Sequence, residues 1–222
     1  MNNNFNAQRH SDRIIKVCGM ADPANIQSVA LLTPMLMGFI FYEKSPRYAG
    51  ALDPEVVKAL PSYIHPVALF VNADEATVEA TAEKFGIKIL QLHGSESPEM
   101  CKTLRDKGFT IIKAFGLSDN PDWEAIRPYE EVADMFVFDT LTPSHGGSGQ
   151  KFNWQELDSY PLSTPYLLGG GIGPDDKEAI LAAMRPKMAG VDINSRFESA
   201  PGVKDIKLLT HFILSLRAYN ED

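Results

Sequence analysis

The sequence predicts a single α/β domain, a (β/α)8 TIM barrel over residues 13–222, and three observations predict it. Eight short β-prone runs recur roughly 20 to 31 residues apart with a helical-looking segment between them, the spacing that strand–helix units need. The runs are near-continuously apolar, as strands of a parallel sheet covered on both faces must be. The chain has 222 residues, a barrel-sized length, and no linker or low-complexity stretch divides it. A doubly wound open sheet would place G-x-G-x-x-G after the first strand, where this chain has Cys18-Gly19-Met20-Ala21-Asp22.

Taken in order, Ile14–Cys18 is the first run. Asp22 then caps a helix reaching Leu32, with Pro23 at its first position and Ile26, Val29 and Ala30 as its apolar stripe. Met37–Tyr42 is the second run, and Asp53-Pro54-Glu55 repeats the same helix start ahead of Val56, Val57 and Leu60. Val67–Val71 precedes a helix over Glu75–Phe85, and Ile87–Leu92 precedes one over Pro98–Lys107. Thr110–Ala114 and Met135–Asp139 are the fifth and sixth runs. Tyr166–Leu168 leads to a helix over Pro174–Met184, and Met188–Ile193 leads to one over Lys204–Tyr219. The stretches after the second and sixth runs each leave room for a helix and an extra loop. Residues 1–12 are polar and Asn-rich, and read as a flexible leader.

Composition narrows the function classes. The chain is 44% hydrophobic and 23% charged, ordinary for a globular protein. With 21 basic and 29 acidic residues, a net charge of −8 and no basic patch, a nucleic-acid partner is not expected. No run approaches the roughly 18 apolar residues of a membrane span. Two cysteines make no disulfide scaffold and suit a reducing compartment, so a cytoplasmic location is expected. His10, His65, His93, His145 and His211 show no ligand spacing, and neither H-E-x-x-H nor C-x-x-C occurs, so no metal site is expected. Cys101 falls in a helical segment and reads as structural. Oligomeric state is not set by the sequence, with a monomer favoured.

In a barrel the active site lies at the carboxyl ends of the strands. Strand alternation turns Lys16 and Cys18 inward on the first run, Gln91 and His93 on the fourth, Val137 and Asp139 on the sixth, and Asp192 and Asn194 on the eighth. Cys18 is either a small buried filler or a thiolate base or nucleophile, and Lys16 on the same face would lower its pKa. Asp139 either caps the next loop, pairs with a lysine, or serves as a general acid whose pKa apolar surroundings raise.

Two stretches suit a phosphate: Leu168-Gly169-Gly170-Gly171-Ile172 after the seventh run, and Asn194-Ser195-Arg196 after the eighth. The glycine triplet by itself is equally a tight turn. His145-Gly146-Gly147-Ser148-Gly149-Gln150-Lys151 is a lid over the site or a plain surface loop, and does not match the P-loop pattern. Arg47, after the second run, is either solvated or placed to grip a carboxylate bidentately.

Lys16-Val17-Cys18-Gly19-Met20 resembles the opening motif of phosphoribosylanthranilate isomerase, the (β/α)8 enzyme family of tryptophan biosynthesis. The resemblance covers roughly residues 13 to 217. It continues through Ser45-Pro46-Arg47-Tyr48, Gln91-Leu92-His93-Gly94, Phe138-Asp139-Thr140, Gly169-Gly170-Gly171-Ile172 and Val191-Asp192-Ile193. It implies a barrel of the ribulose-phosphate-binding type and an Amadori rearrangement of N-(5-phosphoribosyl)anthranilate. By the resemblance Cys18 is the general base and Asp139 the general acid. Arg47 holds the substrate carboxylate, and Gly170, Gly171, Asn194 and Ser195 lie at the phosphate. Lys16, Gln91, His93 and Asp192 are supporting. The partner it implies is a small phosphorylated substrate, and no cofactor is needed because the substrate nitrogen serves as the electron reservoir.

The family usually has Ser-Ser-Gly-Val-Glu after the eighth strand. Here Asn194-Ser195-Arg196-Phe197-Glu198 stands there, and Arg196 is expected to add a direct phosphate contact. The competing readings are another phosphate-binding barrel, such as a sugar-phosphate isomerase of histidine biosynthesis or indole-glycerol-phosphate synthase, and a non-catalytic binding barrel. A histidine-pathway isomerase is expected to carry carboxylates at both catalytic strand ends, which Cys18 argues against.

Overall fold

The computed structural model describes residues 13–140 and 151–218. The expected leader, and the glycine-rich loop up to Gln150, lie outside the described residues.

Eight parallel strands close into a barrel in sequence order. They are β1 (Ile14–Val17), β2 (Leu36–Ile40), β3 (His65–Phe70), β4 (Ile89–Leu92), β5 (Thr110–Leu117), β6 (Met135–Thr140), β7 (Tyr166–Leu168) and β8 (Met188–Ile193). Closure is made by β1 and β8, with Lys16 opposite Asp192. Alternation sorts their side chains into two layers. Ile14, Leu36, Val67, Ile89, Ile112, Met135 and Leu167 fill the barrel interior. Val17, Phe39, Phe70, Leu90, Phe136, Phe138 and Ile193 face the helices in a continuous outer core. Each such fully buried side chain contributes roughly 1.5–3 kcal/mol. Above the inner apolar layer, Cys18, Ile40 and Leu69 form a small cluster with Tyr42 and Val71 packed against it.

The helix starts follow their caps. Asp22 accepts from Asn25 N ahead of α1 (Pro23–Ala30), and Asp53 accepts from Glu55 N ahead of α2 (Pro54–Lys58). Asp74 caps α3 (Glu75–Phe85), and Ser97 caps α4 (Pro98–Asp106). The fourth strand begins two residues later than expected, because Ile87 N donates to Ala82 O in the turn that ends α3. After β5 come a short α5 (Trp123–Ile126) and a 3-10 turn.

Three expectations are corrected. The segment between β6 and β7 carries no α-helix among its described residues but a 3-10 helix, Trp154–Ser159. Trp154 and Leu157 anchor it, and Pro161 and Pro165 bar its extension. The next helix, α6, runs Lys177–Ala182 rather than from Pro174. The Asp176 carboxylate is drawn away to Gly173 N at 2.6 Å and Lys151 Nζ at 2.5 Å. The last helix, α7, is Ile206–Ala218, because Lys204 belongs instead to β10 (Val203–Lys204), which pairs with β9 (Glu198–Ala200) in a hairpin.

Lys113 faces outward from β5 yet is buried. Its ammonium donates to the carbonyls of Leu92, Gly94 and Ala114 and to Glu96 Oε2 at 3.2 Å. Glu96 in turn accepts from Asn72 N and Gly94 N. This buried pair ties the loops after β3 and β4 to β5.

Candidate active site

The strand ends surround a cavity of about 320 Å³. Cys18, Arg47, Gln91, His93, Asp139, Gly170, Gly171, Asp192, Asn194 and Ser195 all line it. Lys16 does not: it lies beneath the cavity floor, fully buried, and reaches the site through Asp192 at 2.7 Å. A second cavity, about 380 Å³, opens at the opposite end between the amino ends of β1 and β8 and α7, with Ile15, Met184, Met188 and Leu216 in its wall. The residues singled out for chemistry converge on the first.

Cys18 follows β1 directly. Burial pushes its thiol above the ordinary value, opposed by the charges of Lys16 and Lys204 and helped by Asp192. Lys16 therefore acts in the expected direction, but desolvation outweighs it. Burial also works against the charge on Lys16, yet Asp192 and Cys18 outweigh it and leave its pKa raised. Burial raises the Asp192 carboxyl, with Lys16 opposing. Asp192 Oδ1 is buried with no hydrogen-bond partner among the described residues.

Asp139, near the end of β6, accepts from the Thr140 amide at 2.7 Å and stands 3.6 Å from His93 Nε2. Its surroundings are thus polar rather than the apolar pocket expected. Gln91 Nε2 approaches His93 Nδ1 at 2.9 Å, so Gln91, His93 and Asp139 form a chain across the mouth. Gly170 has φ +78°, and a Cβ there would meet Thr140 N at 2.6 Å and Asp139 Oδ1 at 3.1 Å. Only glycine lets the β7 loop come this close to Asp139.

The Arg47 side chain is only 14% exposed, and its guanidinium is taken side-on by Glu198 at 2.7–2.9 Å. Gly19, at φ +74°, sits where a Cβ would meet Asn194 Oδ1 at 2.5 Å and Arg47 Cδ at 2.7 Å, so the loop after β1 brings those two side chains together. Arg196 lies across the glycine loop, with Nε 3.3 Å from where a Gly173 Cβ would stand. Sequence reasoning missed the parts played by Lys204 and Asn25. Lys204 reads locally as a helix start, whereas its buried ammonium reaches Glu198 Oε1 and Asn194 Oδ1, both at 2.7 Å.

A closed parallel barrel with a thiol, a carboxylate and glycine-bordered loops facing one cavity at the strand carboxyl ends is a (β/α)8-barrel enzyme, with its active site where that fold places it. A family model described as N-(5'phosphoribosyl)anthranilate (PRA) isomerase matches residues 15–215, and the chain belongs to that family. A relative from Parabacteroides distasonis, N-(5'-phosphoribosyl)anthranilate isomerase, is 45% identical over 202 residues, covering 90% of this chain and 91% of that one. One of the same name from Phocaeicola vulgatus is 40% identical, covering 92% and 98%.

Among solved structures, phosphoribosyl anthranilate isomerase from Thermotoga maritima superposes with a TM-score of 0.79 at 29% identity, covering 93% of this chain and 100% of that one. Another, at 26% identity and a TM-score of 0.77 with the same coverage, is a complex with reduced 1-(o-carboxyphenylamino)-1-deoxyribulose 5-phosphate. The chain is thus an aldose–ketose isomerase of tryptophan biosynthesis. It catalyses the Amadori rearrangement of N-(5-phosphoribosyl)anthranilate, and its ligand is a small phosphorylated molecule.

Proposed function

We propose that Cys18 is the general base and Asp139 the general acid of this rearrangement. The observation that carries the assignment is that the two side chains, from β1 and β6, face one cavity bordered by the Gly169–Gly171 loop. Asp139 protonates the ribose ring oxygen while the anilino nitrogen drives the ring open to an iminium. Cys18 then removes the C2' proton, giving an enolamine that tautomerises to the ketone. C1' is reduced as C2' is oxidised, so the redox change stays within the substrate. Each proton transfer contributes on the order of 10²–10⁴-fold.

Arg47 binds the substrate carboxylate, and Gly170, Gly171, Asn194 and Ser195 bind the phosphate. Arg196 adds a cation beside the glycine loop, which Arg196→Gly tests through a raised KM. His93 and Gln91 support Asp139, and Asp192 holds Lys16 beneath Cys18. Loss of substrate fluorescence, followed in wild type, Cys18→Ser and Asp139→Asn, tests the pair. Both variants lose several powers of ten in kcat; turnover that survives both substitutions discards the assignment.

We propose a cytoplasmic location and, of the oligomeric states open to the chain, the monomer. The location is supported by two buried unpaired thiols, Cys18 and Cys101. A Thermotoga maritima relative is dimeric, and sedimentation of this chain decides between the two states.

A further inference from the structure

Three charged side chains and one amide at the mouth make a single network, of which the roles given above use Arg47 and Asn194 but neither Glu198 nor Lys204. Glu198 lies between Arg47 and Lys204. Its Oε2 accepts from Arg47 Nε at 2.9 Å and Nη2 at 2.7 Å. Its Oε1 accepts from Arg47 Nε at 2.9 Å, Lys204 Nζ at 2.7 Å and Gly202 N at 3.2 Å. Five contacts hold a carboxylate whose side chain is 5% exposed, so its position is over-determined. Lys204 is fixed in turn. Its ammonium also donates to Asn194 Oδ1, and its backbone is clasped by Asn25 of α1, with Nδ2 donating to Lys204 O and Oδ1 accepting from Lys204 N.

The geometry on Arg47 is informative. Glu198 occupies the Nε/Nη2 side of the guanidinium, and Nη1 is engaged by no described residue. Arg47 lines the cavity, so the Nη1/Nη2 edge remains for a second carboxylate in a bidentate grip. The charge count agrees. Arg47 and Glu198 alone would be neutral, and Lys204 restores one net positive charge to the cluster. Glu198 stays ionised: burial pushes its carboxyl up, but bonds from Arg47 and the charge of Lys204 more than offset this.

We infer that Glu198, anchored by Lys204, is a positioning residue that fixes Arg47 with one guanidinium edge turned to the substrate carboxylate. The inference rests on the reading of Arg47 as the carboxylate ligand. It makes a prediction opposite in sign to simple electrostatics. Removing a negative charge beside a bound carboxylate would by charge alone tighten binding, whereas loss of positioning weakens it.

The test is steady-state kinetics on two substrates: N-(5-phosphoribosyl)anthranilate, and the analogue built on aniline, which keeps the sugar phosphate and lacks the carboxylate. Glu198→Gln is expected to raise KM for the full substrate about tenfold with kcat within about threefold, and to move KM for the aniline analogue less than about twofold. Glu198→Asp keeps the charge and shortens the reach, and shows the same selective rise, so the test survives if Glu198→Gln fails to fold. An unchanged or lowered KM, or an equal rise on both substrates, overturns the inference. Arg47→Ala separates the two levels. If it is selective for the full substrate and the Glu198 variants are not, positioning alone falls. If Arg47→Ala weakens both substrates equally, the carboxylate reading of Arg47 falls, and the inference with it.

Discussion

Lys16 donates to Asp192 at 2.7 Å across the seam between β1 and β8, two residues before Cys18 on the same inward face. Lys16 sets a buried positive charge beside the thiol, but desolvation dominates, Asp192 adds to it, and the thiol stays above its ordinary value. As the proposed base Cys18 must work as its thiolate, the form that burial disfavours here. Thiolate absorbance, taken as the difference between wild type and Cys18→Ser, is expected to titrate above the ordinary cysteine value of 9.0. A midpoint below that value would show that the ammonium wins.

Gly170 brings the loop after β7 against Thr140 and Asp139. Gly170→Ala forces a side chain into a left-handed conformation and against Thr140 N at 2.6 Å. We expect roughly 1–3 kcal/mol of destabilisation from the backbone strain, together with a lower kcat because Asp139 is displaced. Denaturant unfolding and turnover of the same variant check both, and an unchanged kcat would uncouple the loop from Asp139.

The Lys113–Glu96 pair is 2% and 1% exposed at its side chains. Removing one partner leaves the other charge buried and uncompensated, so Lys113→Met should cost about 3–5 kcal/mol. Lys113→Met combined with Glu96→Gln should cost less than the sum of the single changes, since neither charge is then stranded. Urea unfolding of the four proteins measures the coupling.

Cys101 on α4 has its thiol pushed up to about 11 by burial, against an ordinary 9.0, with Lys113 opposing. A thiol that ionises more readily unfolded than folded stabilises the neutral native state below pH 9, and that stability is lost as pH rises through 11. Two units correspond to about 2–3 kcal/mol. The stability of Cys101→Ala should fall less steeply than wild type between pH 9 and 11, and parallel slopes would refute the attribution.

Much of the barrel was legible in the sequence because its determinants are local. Apolar runs with β-branched and aromatic residues mark the strands, and Asp22, Asp53, Asp74 and Ser97 mark the helix starts with their own side chains. A period of two ties each strand residue to one face, so Cys18, Gln91, Asp139 and Asp192 could be placed at the mouth from position alone. What only the tertiary structure decided depends on partners far apart in the chain. Arg47 meets Glu198 from 151 residues away. Lys204 looks like a helix start until closure of the barrel sets it against Glu198 and Asn194. Lys113 looks like a solvated strand residue until Glu96 and three carbonyls enclose it. Barrel closure and the packing of loops over it fix which charges share a desolvated space, and no local pattern encodes that.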